Sequence, residues 1–111
     1  MKIKISEKYE AVVIELKGNV MGGDDTKTFN ETLHKLIDEG KNRIVIDLSG
    51  VKFMNSSGLG MLIGGYTTLK KGDGQLKLAN VTDKIQSLLM ITKLITIFDS
   101  YDSVEEAVKS F

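Results

Sequence analysis

The sequence is notable first for what it lacks. It has 111 residues with no cysteine, no proline and no tryptophan, and it contains a single histidine. The absence of cysteine excludes disulfides, thiolate metal sites and a cysteine nucleophile. Lysine plus arginine and aspartate plus glutamate both number 15, so the formal net charge is zero. The composition therefore has no excess of positive charge that would favour binding to nucleic acid or to an anionic membrane, and we expect neither as a direct partner.

Long apolar runs are also missing. The longest mostly apolar stretch, SLLMITKLITIF, is interrupted by Lys93 and is too short to cross a bilayer. The first ten residues, MKIKISEKYE, contain no apolar signal-peptide core. We therefore expect a cytoplasmic protein. The length suits one hydrophobic core, which predicts a single domain over residues 1–111.

Apolar periodicity predicts alternating strands and helices. KIKIS and AVVIELKG alternate like the two strands of a hairpin, and RIVIDL is typical of a strand covered on both faces. QLKLAN and LITIF are predicted as the fourth and fifth strands. Helical stripes separate these segments, which predicts an α/β fold with a mixed, mostly parallel sheet of about five strands packed against about four helices.

Capping residues set the expected helix ends. The first helix is predicted to start at an N-cap among residues 24–26 and to end at Gly40. The serine pair Ser56 and Ser57 is expected to cap the second helix, and Thr82 the third. An S-x-x-E capping box at 103–106 predicts the start of the fourth.

The stretch MNSSGLGMLIGG, residues 54–65, is the segment in which we looked for a catalytic or metal-binding site. A serine nucleophile needs a base, but the only histidine, His34, lies beside the apolar stripe of its helix. Asn55 also stands where the G-x-S-x-G elbow requires glycine. With no cysteine and one histidine, a metal site would need carboxylates, and the aspartates at 24–25 and at 99 and 102 are better explained as caps and turns. These residues therefore predict neither a serine hydrolase nor a metal site, and we expect no cofactor.

The glycines allow more than one explanation. Gly58 and Gly60 begin like a dinucleotide motif, but the third glycine comes one place late, at Gly64, and no G-K-[ST] follows. Each mid-helix glycine costs about 1 kcal/mol relative to alanine, so several in one helix require a compensating gain. Gly60 and Gly64 share one helical face, which indicates close packing on the sheet, a smooth face for a partner, or both.

The position of the serines favours a modification site. They follow a central strand, at the end of the sheet where open α/β folds place their functional sites. A phosphate on Ser56 would be expected among the N–H groups of Ser57, Gly58 and Leu59, where the helix dipole favours negative charge.

The run IDLSGVKFMNSSGLGMLIGGY resembles the signature of the STAS domain, and in particular that of bacterial anti-sigma factor antagonists. The later stretch LLMITKLITIFDSYDSVEEAV resembles the end of the same family, so the similarity covers essentially the whole chain. The resemblance implies a STAS fold and a binding module that is not an enzyme. In such a module the unphosphorylated form binds an anti-sigma factor that is also a serine kinase, and a sigma factor is released. Phosphorylation of a loop serine ends this binding, and a PP2C-type phosphatase restores it.

The resemblance also implies site residues. Its phosphoacceptor position corresponds to Ser56. The implied partner-binding surface comprises Met21, Gly22, Gly23, Asp24, Asn55, Ser56, Ser57, Gly58, Leu59 and Gly60. Two positions depart from the family pattern, since Asn55 and Met21 stand where the family has aspartates. We expect a monomer or weak dimer. The alternatives are a STAS subunit of another regulatory or transporter complex, and a module that senses a nucleotide or anion at the same helix start.

Overall fold

The computed structural model describes residues 1–111 and contains five strands and four helices. In chain order they are β1 Lys2–Lys8, β2 Ala11–Val20, α1 Asp24–Asp38, β3 Arg43–Met54, α2 Ser56–Lys71, β4 Gln75–Ala79, α3 Asp83–Ile91, β5 Ser100–Tyr101 and α4 Val104–Lys109. The predicted mixed α/β fold is confirmed. No helix combines the length and the apolar character that crossing a membrane requires.

The sheet has the order β1-β2-β3-β4-β5, so each strand pairs with its neighbour in sequence. β1 and β2 form the predicted antiparallel hairpin, and the other pairs are parallel. The hairpin turns at Tyr9 and Glu10, whose φ angles are 51° and 67°. Two successive positive φ angles match the turn type whose twist suits a two-residue hairpin. β1 lies at the edge of the sheet, because β2 is its one partner strand.

The two faces of the sheet are covered unequally. Helices α1, α2 and α3 cover one face over a large core, in which side chains such as Ile14, Ile46 and Phe29 are fully buried. The opposite face carries only a small cluster under α4: Ala11, Val13, Val45, Ala79, Ala107 and Val108. α4 is also held by Glu105, whose carboxylate lies 2.6 Å from the Lys8 ammonium and 3.1 Å from that of Lys109. The hydrogen bond from Lys8 is the main cause that lowers the pKa of Glu105.

β2 and β3 extend further than the rest of the sheet. The pairing of β3 with β4 ends at Asp47 and Ala79, whereas its pairing with β2 continues to Met54. Register shifts interrupt this extension near Lys17 and between Gly18 and Asn19. The extension carries the end of β3 directly into α2, with one residue between them.

The fifth strand was predicted in the wrong place. LITIF forms turns after α3, and the strand that pairs with β4 is the short polar segment Ser100–Tyr101. Lys93 adopts a φ of 62°, and the N–H of Leu94 donates to the carbonyl of Leu89, which closes the end of α3. Phe98 of this segment is buried although it is not in a strand, because it packs edge-on against Tyr66 with 5.6 Å between the ring centroids.

Most helix ends agree with the sequence. Thr82 caps α3 by accepting from the N–H of Ile85, and Gly40 ends α1 with a φ of 80°. Ser103 accepts from the N–H of Glu106 at 3.1 Å, which is one of the two bonds of a capping box. The prediction for the start of α1 was wrong, because its N-cap is Gly23 and no side chain caps it.

Candidate functional site

Asn55 joins β3 to α2 and is the N-cap of the helix. Its side-chain oxygen accepts from the N–H of Gly58 at 2.8 Å. Its own N–H donates to the carbonyl of Val20 at 3.3 Å, which fixes the helix start to the end of β2. Ser56 and Ser57 therefore occupy the first two helical positions. The prediction that a serine caps this helix was wrong, and Ser56 is a first-turn residue rather than a loop serine.

The cap changes which N–H groups face solvent. Gly58 donates to the side chain of Asn55, and Leu59 donates to its carbonyl at 3.0 Å. The expectation that a phosphate would meet the N–H groups of Gly58 and Leu59 was therefore wrong. The N–H groups of Ser56 and Ser57 form no hydrogen bond within the chain, and both serines are exposed. These two residues form the open positive end of the α2 dipole.

The loop between β2 and α1 lies against this helix start. Gly22 has a φ of +82°, and a Cβ built on it would approach the Cβ of Ser57 to 2.6 Å. Gly22 is therefore required both by its backbone conformation and by close contact with α2. The N–H of Met21 donates to the carboxylate of Asp25 at 3.2 Å, which holds the loop to the first turn of α1. The fold thus brings together the two segments that the sequence singled out.

Six of the ten predicted partner-binding residues are exposed, two are half-buried and two are buried. The exposed ones are Met21, Gly23, Asp24, Ser56, Ser57 and Gly60, and the half-buried ones are Gly22 and Asn55. Gly58 and Leu59 are buried, so they cannot form part of an exposed surface. A side chain at Gly58 would collide with the Val20 carbonyl. These two residues support the site from below.

The glycines of α2 divide into two kinds. Gly65 packs on α1, where an added Cβ would lie 2.8 Å from Phe29 and 2.9 Å from Leu33. At Gly60 and Gly64 an added Cβ would meet nothing within 4 Å. Close packing on the sheet is therefore wrong for Gly60 and Gly64, which leave a smooth, exposed strip that continues from Ser56 along the helix.

The two helix starts of the site differ in charge, and large apolar side chains are exposed nearby. The first turn of α2 contains no acidic residue, whereas that of α1 contains Asp24 and Asp25. Met21, in the β2–α1 loop, is 45% exposed. Phe53 is 47% exposed, but it pairs with Asn19 on the sheet face away from α2. Phe53 was missed from the sequence, because within IDLSGVKFM it has the pattern of a buried strand residue. Its exposure accompanies a bulge in the pairing of β2 with β3, and a bulge cannot be recognised from the sequence alone.

The site contains no set of groups for metal or acid–base chemistry. No cluster of three or more histidine, cysteine, aspartate or glutamate side chains could hold a metal ion. His34 is exposed on α1. Asp47, the most buried carboxylate near this end of the sheet, accepts from the N–H of Ser49 and from the side chain of Asn80. The arrangement offers an exposed hydroxyl, a helix end and an exposed methionine side chain, which suit binding and modification.

Comparison with known proteins agrees with this geometry. A sequence model of the STAS domain matches residues 2–107. The anti-sigma-B factor antagonist of Bacillus subtilis is 33% identical over 88 residues, which cover 77% of this chain and 80% of that protein.

Two solved structures share the fold over nearly the whole chain. An anti-sigma factor antagonist from Mycobacterium paratuberculosis superposes with a TM-score of 0.82 at 20% identity, covering 98% of this chain and 92% of that one. The Bacillus cell fate determinant SpoIIAA in its phosphorylated form gives a TM-score of 0.76 at 22% identity, covering 98% of both chains. The predicted STAS fold is confirmed, and the chain belongs to the STAS domain family.

Proposed function

We propose that this chain is an anti-sigma factor antagonist controlled by phosphorylation of Ser56. Unmodified, it binds an anti-sigma factor that is also a serine kinase, and the sigma factor held by that protein is released. The observation that carries this proposal is the meeting of the β2–α1 loop and the start of α2 around an exposed serine. The name of the Bacillus subtilis relative supports the same role.

Ser56 is well placed to accept a phosphate without harm to the fold. Its side chain is exposed and its hydroxyl forms no hydrogen bond within the chain, so modification breaks no hydrogen bond. A phosphate adds about −1.5 to −2 charges. The free N–H groups of the first turn and the helix dipole stabilise that charge. The fold therefore remains intact while the centre of the surface changes from neutral to strongly negative.

Ser57 is the poorer acceptor of the pair. Its Cβ is the atom that an added Cβ on Gly22 would approach to 2.6 Å, so Ser57 lies directly against the β2–α1 loop. A phosphate there would compete for space with the loop. Ser56 lies one position earlier, and none of its atoms is among those nearest to a Cβ added at Gly22 or Gly23.

Asn55 and Met21 adapt the surface to a particular partner. Where the family pattern has two aspartates, this chain has an amide that caps α2 and an apolar side chain that is 45% exposed. The partner kinase is therefore expected to offer an apolar contact to Met21 instead of a cation. A neutral Asn55 also removes the repulsion that a carboxylate would exert on a neighbouring phosphate. A PP2C-type phosphatase would remove that phosphate and restore binding.

The assignment of Ser56 can be tested by intact-mass measurement. The purified chain is incubated with the cognate anti-sigma factor kinase and ATP, beside Ser56→Ala and the matched control Ser57→Ala. We expect one added phosphate on the wild type and on Ser57→Ala, and none on Ser56→Ala. Phosphate uptake by Ser56→Ala equal to that of the wild type would show that another residue is the acceptor.

A further inference from the structure

We propose that the uncovered half of the sheet face opposite α1, α2 and α3 is a second docking surface, whose occupant is an acidic protein segment bearing an apolar side chain. We call this surface the basic sheet face and define it by Lys2, Lys4, Lys17, Asn19, Lys52 and Phe53. It goes beyond the proposed function, because it lies on the other side of the sheet from the helix that carries Ser56.

The strand register places five of the six residues on one face: Lys2, Lys4, Lys17, Asn19 and Phe53. Lys4 lies opposite Glu15 and Lys2 opposite Lys17 in the β1–β2 pair. Because side chains alternate along a strand, Glu15 and Lys17 share the face of Val13, which α4 covers at the other end of the sheet. Further along, Phe53 pairs with Asn19, and Lys52 lies at the bulge beside Phe53.

No element of the chain covers this area. α4 has only six residues and packs on the small cluster that includes Ala11, Val13 and Val45, near the beginning of β2 and β3. Lys2, Lys4 and Lys52 are exposed, and Phe53 is 47% exposed. Phe53 therefore offers one apolar contact point at the end of a sheet face that no other element of the chain covers.

The face carries more lysines than carboxylates, although the whole chain has a net charge of zero. Glu15 is its one acidic side chain near the surface, and it pairs with Lys17 at 3.4 Å. Asp47, on the same face, is buried and accepts hydrogen bonds from Ser49 and Asn80.

Lys2, Lys4 and Lys52 form no ion pair within the chain. Three lysines without ion pairs and an exposed phenyl ring, spread over β1 and the end of β3, complement carboxylates that accompany an apolar side chain.

The chemistry favours a protein segment over a nucleic acid. The cations are all lysines, which lack the planar fork that binds phosphates in a bidentate manner. One aromatic ring also differs from the series of stacking platforms that single-stranded nucleic acids use.

The test is a titration of the 15N-labelled chain, followed by NMR, with a glutamate-rich peptide containing one leucine. A peptide with every glutamate replaced by glutamine and a single-stranded oligonucleotide are the comparison ligands. We expect the glutamate peptide to shift the amide signals of β1, of the β2–β3 extension and of Phe53, and the glutamine peptide to shift none. Shifts spread over the whole surface, or binding of the oligonucleotide at least as tight as that of the peptide, would overturn the proposal.

Two triple variants sharpen the result. The first is Lys2→Gln, Lys4→Gln and Lys52→Gln, and the matched control is Lys35→Gln, Lys71→Gln and Lys84→Gln, which removes three exposed lysines that also lack ion pairs. We expect the first to weaken peptide binding about tenfold, the effect of losing three exposed charge pairs, and the control to leave it unchanged. Equal weakening by both would mean that the peptide responds only to net charge. Ser56→Asp affects the proposed switch but not this surface, so the two proposals can fail separately.

Discussion

At the scale of single residues, glycines two positions apart in α2 have opposite roles. Gly58 is buried where the helix crosses the end of β2, and a Cβ there would collide with the backbone carbonyl of Val20. Gly60 is exposed, and a Cβ there would meet nothing within 4 Å. The first glycine is required by packing, whereas the second costs helix stability and leaves the surface smooth.

Alanine at each position separates these roles. We expect Gly58→Ala to lower the free energy of unfolding by about 1–3 kcal/mol, because the backbone of β2 must move. Gly60→Ala should raise it by about 0.5–1 kcal/mol, since alanine is the better helix former and has space. Urea unfolding of the two variants beside the wild type measures both changes. Equal stability of the two variants would contradict the packing described for Gly58.

At the scale of elements, the sequence predicted the number, type and order of strands and helices but not every boundary. Apolar patterning identified β1 to β4: β1 and β2 alternate, and β3 has the continuous apolar run of a strand covered on both faces. It failed at LITIF because an apolar, β-branched segment can also be buried as a turn, as Phe98 is against Tyr66. The true β5 has two residues and is recognisable only from its pairing with Leu78 and Ala79.

The start of α2 gives a prediction at this scale. The cap is the Asn55 side chain, although either serine could have served by residue type alone. Asn55→Ala should lower the free energy of unfolding by about 1 kcal/mol, the usual loss for an N-cap. Asn55→Asp, the matched control, should retain the stability because its carboxylate accepts the same bond and favours the helix dipole. Urea unfolding at neutral pH would contradict this account if Asn55→Ala were as stable as the wild type.

At the scale of the whole molecule, one sheet presents two different surfaces. The Ser56 surface forms where α2 begins, and the basic sheet face lies across the sheet from it. The sequence indicated the first through the serine pair and the resemblance of its surroundings. It could not show that Gly22 contacts Ser57, because α1 and β3 separate them in the chain. The second surface depends on strand register and on the short reach of α4, which also arise only in the folded chain.

The affinity of the purified chain for its native anti-sigma factor, determined by isothermal titration calorimetry, tests whether charge on Ser56 controls binding. Wild type is compared with Ser56→Asp and with Ser87→Asp, which adds the same charge at an exposed position on α3. We predict that Ser56→Asp weakens binding about 100-fold or more, because an uncompensated charge enters the centre of the interface, while Ser87→Asp binds like the wild type. Binding of Ser56→Asp as tight as that of the wild type would contradict the switch.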